Sequence, residues 1–180
     1  STEQLASSYL NLALLQVDTK QLEEASKSYQ RSLEYAQHVG NVELIGVIHL
    51  NRAELAIKQD DLTTAQTCCS HALKIFGRTG DENGIAETYK FLGCIYARGK
   101  KWQQAERVFQ RSIQIFEECQ NLLNVAEVRY EYGLMCIEQG KKEIAKWELN
   151  RALDIFSELQ AIFDVQKVKA ALEKLSSLGK

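Results

Sequence analysis

The stretch YKFLGCIYARGKKWQQAERVF, residues 89 to 109, decides the fold. A glycine, an apolar run and then GKK give it the outline of a phosphate-binding loop with a cysteine inside. Such a loop needs a strand, a glycine-rich turn and a helix whose free N–H groups cradle the phosphates, with GxxxxGK[ST] spacing. Here Gly93 to Gly99 is one residue too long, and no Ser or Thr follows Lys100. The residues between them are helical in pattern. Tyr89, Leu92, Gly93 and Tyr96 recur at helical spacing, and after ARGKK so do Trp102, Ala105, Phe109, Ser112, Ile113 and Phe116. The stretch therefore reads as helix, tight turn, helix, with Gly99 and the lysines expected to turn the corner.

Working outward, the chain falls into register with itself when shifted by forty residues. Ala25, Ala65, Ala105 and Ala145 coincide, as do Ala13, Ala53, Gly93 and Gly133, then Ser32, Ala72, Ser112 and Ala152. A large apolar column follows, Leu33, Leu73, Ile113 and Leu153, and then Ala36, Phe76, Phe116 and Phe156. Polar or glycine-bearing corners separate the halves of each period (VDTKQ, KQDD, ARGKK, EQGKK). HVGN, RTGD, ECQN and ELQA separate the periods, two of them with a glycine suited to a helix C-cap. The pattern predicts helices over about 3–17, 21–38, 42–58, 62–77, 82–98, 101–118, 122–139, 142–158 and 162–178. Small columns allow two antiparallel helices to approach closely, so Ala13 is expected to face Ala25 and Gly93 to face Ala105. The aromatic column is expected to fill the space between hairpins, and stability to come from stacking neighbours.

Composition agrees with helices. There are no prolines and ten glycines, and Ala, Leu, Glu, Gln and Lys dominate. With 22 Lys+Arg against 24 Asp+Glu the formal charge is -2, so no global basic surplus draws the chain to nucleic acid or to an anionic membrane. No apolar run approaches the roughly 18 to 20 residues of a membrane span, and STEQLASSYL lacks the basic start of a signal peptide. A cytoplasmic protein is expected. The abrupt start, helical in pattern by Leu5, suggests a piece of a longer chain. Cys68, Cys69, Cys94, Cys119 and Cys136 follow no metal-ligand spacing and read as buried thiols.

This pattern resembles the tetratricopeptide repeat, in the forty-residue variant found in spindle-orientation adaptors and bacterial signalling proteins. Repeat three matches best, with Tyr89, Leu92, Gly93, Tyr96, Trp102, Ala105, Phe109 and Ser112 in the signature positions. Repeat one follows with Tyr9, Leu12, Ala13, Leu22, Ala25, Tyr29 and Ser32. Repeats two and four are looser: His49, Arg52, Arg129, Lys142 and Leu149 replace expected apolar or aromatic residues, and the family's proline is missing throughout. The resemblance implies an all-α fold, a right-handed α-solenoid of four helix-turn-helix repeats. They span about 1–39, 40–79, 80–119 and 120–159, and residues 160–180 form a capping helix, all within one domain, 1–180.

In this family the first helix of each pair lines the concave side, where ligands lie as extended peptides or short helices. Carried over by position, the resemblance implies a partner-binding groove of Leu10, Asn11 and Leu14, then Leu50, Asn51 and Glu54. Lys90, Phe91, Cys94 and Arg98 continue it, and Tyr130 and Leu134 complete it. Asn11 and Asn51 hold the position whose amide bonds peptide backbone in related repeats; the alternative is a solvated helix-face Asn. Lys90 and Arg98 could meet a ligand carboxylate or pair with nearby glutamates. Phe91 and Tyr130 are anchors if exposed, or packing between repeats. Of the clamp that holds chaperone tails only Asn51 is matched, which disfavours that ligand.

No catalytic centre is expected. His38, His49 and His71 fall at a helix end, in a first helix and in a second helix, with no shared face by periodicity, and His71 near Cys68 reads as a surface imidazole beside a structural thiol. The expectation is a non-enzymatic module without metal or cofactor that binds a protein or peptide partner. The alternative is a sensor or regulatory segment of a larger bacterial-type signalling or transcription regulator, and a third reading is self-association through the solenoid ends.

Overall fold

The computed structural model describes residues 1–177. Among them lie nine α-helices: α1 (Thr2–Asp18), α2 (Leu22–Val39), α3 (Val42–Lys58), α4 (Leu62–Thr79), α5 (Glu82–Arg98), α6 (Trp102–Glu118), α7 (Leu122–Glu138), α8 (Lys142–Glu158) and α9 (Ile162–Ser177). No strand occurs among the described residues. The helices start and stop within two residues of the positions the periodicity predicts. Residue 178, the predicted end of the last helix, and the rest of the capping segment to 180 lie outside the described residues.

One device makes all eight corners. Lys20, Gly40, Asp60, Gly80, Lys100, Gln120, Gly140 and Gln160 adopt left-handed φ between 54° and 74°. At each, the next amide reaches back five residues: Asn41 N to Ala36 O at 3.0 Å, Lys101 N to Tyr96 O at 2.8 Å, Ala161 N to Phe156 O at 2.9 Å. This six-to-one bond satisfies a carbonyl that the ending helix would leave bare. In ARGKK the left-handed residue is Lys100, not Gly99, because the closing bond from Lys101 to Tyr96 places it one residue later. Restarts are capped by side chains where Asn or Asp follows the corner. Asn41, Asp61, Asp81 and Asn121 accept from the amides of Leu44, Thr64, Gly84 and Asn124.

The chain forms two compact units, Ser1–Ile95 and the residues from Tyr96 onward. In the first, α1 packs on α2, α2 on α3 and α3 on α4. Ala6, Ala13, Ala25, Tyr29, Leu33 and Ala36 form its core with Ile48 and Leu55. Ala13 and Ala25 are both fully buried there, as two close helices require. Buried Ser32 sits in a small column yet adds a bond, its hydroxyl donating to the Ala6 carbonyl at 2.7 Å. Phe76 fills the space between hairpins: a Cβ added at Gly84 would come within 2.6 Å of its ring, and one at Gly46 within 2.8 Å.

The second unit repeats the scheme. α6 packs on α7, α7 on α8 and α8 on α9. Ala126, Leu149, Ala152, Phe156, Val168 and Ala171 form a core there. A Cβ at Gly133 would meet Leu149 Cγ at 2.8 Å and the Ala145 carbonyl at 3.5 Å. The glycine and alanine columns therefore mark where α7 and α8 cross.

Two glycine substitutions should move stability in opposite directions. Gly84→Ala forces a methyl group into the Phe76 ring and should destabilise by about 1–3 kcal/mol. Gly77→Ala, in α4 with nothing within 4 Å of the new methyl, should stabilise by about 0.5–1 kcal/mol. Urea unfolding midpoints of the two variants and the parent check both signs.

Candidate functional site

Helices α3 and α5, the first helices of repeats two and three, flank a pocket of about 230 Å³ in the first unit. Val47, Leu50, Asn51 and Glu54 of α3 form one wall, and Gly84, Glu87 and Phe91 of α5 the other. Phe76 of α4 also lines it, with Asp81 and Asn83 at the corner. Glycine at position 84 is what lets the Phe76 ring lie against α5. Phe91 is half-buried and packs with Ile75 and Ile85 against Leu50, Ala72 and Phe76.

Leu50, Asn51, Glu54 and Phe91 thus line one pocket, in four different settings. Leu50 is buried and backs the pocket. The Asn51 amide donates to the Val47 carbonyl of its own helix at 2.9 Å. Glu54 is paired with Lys58 at 2.7 Å. Phe91 carries the Lys90 ammonium 5.1 Å from its ring centroid.

The column Leu10, Leu50, Lys90 and Tyr130 lies deeper than expected. Leu10 is part of the core with Ala13 and Tyr29, and the Lys90 side chain is only 9% exposed, held 3.5 Å from Glu87. Tyr130 and Leu134 pack against the core of α7, α8 and α9. Leu10, Leu50 and Lys90 are buried alike, so this column of the expected groove offers little side-chain surface to a partner. Asn11 and Leu14 are exposed on α1, Cys94 is half-buried and Arg98 is exposed.

A second pattern escaped the periodicity. Tyr9, His49 and Arg129 occupy one position of the repeat and each meets the following helix differently. Tyr9 stacks on Tyr35 at 5.6 Å and accepts a hydrogen bond from Arg31 at 2.9 Å. His49 stacks on His71 with centroids 4.8 Å apart, so the two histidines do share a site, contrary to the reading by periodicity. They are joined because the first helix turns position 49 toward position 71 of the second, the same two places that hold Tyr9 and Arg31. Burial first, then His71 and Arg52, push His49 down from 6.5 to about 4, and its Nδ1 has no hydrogen-bond partner.

Arg129 is buried, bonding Glu148 at 2.8 Å and Glu117 at 2.9 Å. Burial pushes the Glu148 carboxyl up, and the Arg129 hydrogen bond holds it down. The available signal was a double departure: Arg129 and Glu148 both stand in columns that are otherwise uncharged.

None of this is arranged for nucleophilic chemistry. All five cysteines are free thiols, and burial raises Cys68, takes Cys69 to about 12 and Cys136 to about 11, which disfavours the reactive thiolate. Among the described residues no group of three His, Cys, Asp or Glu side chains could hold a metal ion, and no helix is long and apolar enough to cross a membrane.

Helical hairpins repeated every forty residues, crossing at small residues and wedged apart by an aromatic, define a class of interaction scaffold. Residues 6–38 and 44–118 match family models described as tetratricopeptide repeat, together more than half of the sequence, and the chain belongs to that family. Among curated proteins there is no significant match. Similar solved structures include BtubC (BKLC) from P. vanneervenii, 20% identical with a TM-score of 0.73, covering 98% of this chain and 80% of that one. A Rap protein complexed with Competence and Sporulation Factor is 15% identical with a TM-score of 0.81, covering 96% and 50%. The apo form of RapI is 16% identical with a TM-score of 0.68, covering 94% and 64%. At these identities the likeness is one of fold, and the chain spans half of the Rap protein and under two thirds of RapI.

Two buried polar contacts have measurable consequences. Above pH 6.5 His49 is neutral in both folded and unfolded chains. Below it the unfolded chain takes up a proton that the fold refuses until about pH 4, so stability should fall by about 2–3 kcal/mol across that window. His49→Phe should flatten that part of the pH profile of the unfolding midpoint relative to the parent. Glu148→Leu, which strips a carboxylate from buried Arg129, should cost about 3 kcal/mol, while the double change Arg129→Leu with Glu148→Leu should recover most of it. Thermal melts of the three chains test this.

Proposed function

We propose that the chain is a non-enzymatic interaction module whose four repeats and C-terminal helix, residues 1–180, act as one array and bind an extended peptide or short helix of a protein partner on the face of the first helices. The observation that carries this reading is the pocket between α3 and α5. It sits on the face that the family turns toward its ligands, and it combines apolar Val47, Leu50 and Phe91 with the Asn51 amide. Its volume of about 230 Å³ is below the roughly 300–1,000 Å³ of small-molecule sites, which favours a single side chain of a longer ligand. The Asn51 amide is a donor and an acceptor and so suits a main chain of any sequence. Asn11, Leu14, Glu54 and Cys94 extend the same face. The module works in the cytoplasm as a signalling adaptor, without cofactor, nucleic acid or membrane.

A second reading, a sensor segment of a larger regulator, is favoured by one observation. The chain covers only half of the Rap protein, whose solved structure holds Competence and Sporulation Factor. The same face would then receive a signalling peptide.

Peptides selected on the chain from a random display library test the groove. Val47→Glu and Asn51→Ala should each weaken the selected peptides at least about tenfold, a loss of about 1.4 kcal/mol, while circular dichroism and melting stay unchanged. Unchanged affinity in both variants would reject the groove.

A further inference from the structure

Arg52 breaks a column of the repeat. Leu12, Leu92 and Tyr132 hold its place in the other repeats, so it brings charge to a position that is otherwise apolar or aromatic. In repeat four that position meets an acid, because the Tyr132 hydroxyl donates to Glu106 of the preceding second helix at 2.8 Å. Repeat two finds Ser26 where Glu106 would stand. Half-buried Arg52 therefore lacks the carboxylate that its counterpart receives, and among the described residues it forms no hydrogen bond or ion pair.

The space beside it is open and basic. A depression of about 490 Å³ lies between α2 and α3, lined by Ser26, Lys27, Gln30, Arg31, Glu34 and Arg52. Its three cations and one carboxylate leave a formal charge of +2. Glu34 accepts from the Gln30 amide at 3.0 Å, and Lys27 has no ion pair among the described residues. Glu23 and Glu24 belong to the first turn of α2 and do not line the depression. Asp61, at the head of α4, keeps its carboxylate on the Thr64 amide at 3.0 Å. Arg31 is already fixed: it donates to the Tyr9 hydroxyl at 2.9 Å and lies 5.5 Å from that ring's centroid, which leaves its other N–H groups for a ligand.

We propose that this depression is an anion site and that it takes a phosphate monoester. It shares no lining residue with the pocket between α3 and α5. A phosphate monoester carries about -1.5 to -2 charges at pH 7, which matches the lining, whereas a carboxylate would neutralise only half of it. Its oxygens suit the planar fork of Arg52 in a bidentate pair, and Lys27 and Arg31 balance the remaining charge. The Ser26 hydroxyl is a further donor.

Two-dimensional NMR of the isotope-labelled chain at constant ionic strength tests this, with inorganic phosphate, N-acetylphosphoserine amide and acetate as probes. Both phosphates should give saturable shifts at the amides of residues 26–34 and 52, and acetate should bind at least about tenfold more weakly. Arg52→Leu, which installs the side chain of repeats one and three, should weaken both phosphates at least about tenfold while circular dichroism and melting stay unchanged. Lys27→Thr, an exposed change to the residue of repeat two, should weaken them about threefold, and Asn51→Ala should leave them as they are. Tighter binding of the phosphoserine amide supports the site with a modified protein as the source, and tighter binding of inorganic phosphate supports it with a free phosphate. No saturable shift at these amides, acetate as tight as phosphate, or full affinity in Arg52→Leu would overturn the proposal.

Discussion

A helix that must reverse direction every twenty residues needs an ending that uses its last carbonyls and aims the next helix back along the first. Here that ending is one left-handed residue followed by an amide that bonds five residues back, and it recurs from Lys20 to Gln160. Only three of these eight residues are glycine. The others accept a backbone strain of roughly 1 kcal/mol each, which the packing of the hairpins offsets. Because the corner fixes the length of each helix, it also fixes which side chains meet across the hairpin. The columns of alanine, glycine and serine are the sequence's response to that constraint.

Given this register, the interior has a simple division of labour. Small residues sit where paired helices cross, and Phe76 lies against Gly46 and Gly84. One position then varies freely in chemistry while keeping its place: Tyr9, His49 and Arg129 each find a partner on the following helix. The position holds an aromatic pair, an imidazole pair or an ion pair, and it leaves His49 Nδ1 without a hydrogen-bond partner. Its cost differs from repeat to repeat. Burial favours neutral His49, and buried Arg129 relies on the carboxylates of Glu148 and Glu117.

The surface follows the same logic with less constraint. First helices leave a shallow, partly apolar pocket between α3 and α5, whereas second helices turn polar residues outward except on α8. Two of the apolar exposures on this surface are chemically unlike. One is an amide beside aromatic and aliphatic walls, with Glu54 and Glu87 at hand. The other is an exposed tryptophan on a helix of mixed charge.

Helix positions, corners and family were legible in the sequence, since local propensity and a strict forty-residue period act along the chain and need no knowledge of neighbours. The site was legible only in part. Position in the repeat named Leu50, Asn51, Glu54 and Phe91, which line one pocket, and also Leu10 and Lys90, which are buried, because periodicity gives direction to within a column and not depth. It missed the contact of His49 with His71, and the Arg129–Glu148 pair, for a related reason. Those contacts join different helices, and a column compares each residue with its own counterparts and never with the residue across from it. The sequence by itself thus determined where each helix begins, ends and turns. Which side chains are buried, paired or offered to a partner was decided only by the tertiary structure, because burial and pairing depend on what the neighbouring helix brings to the same point in space.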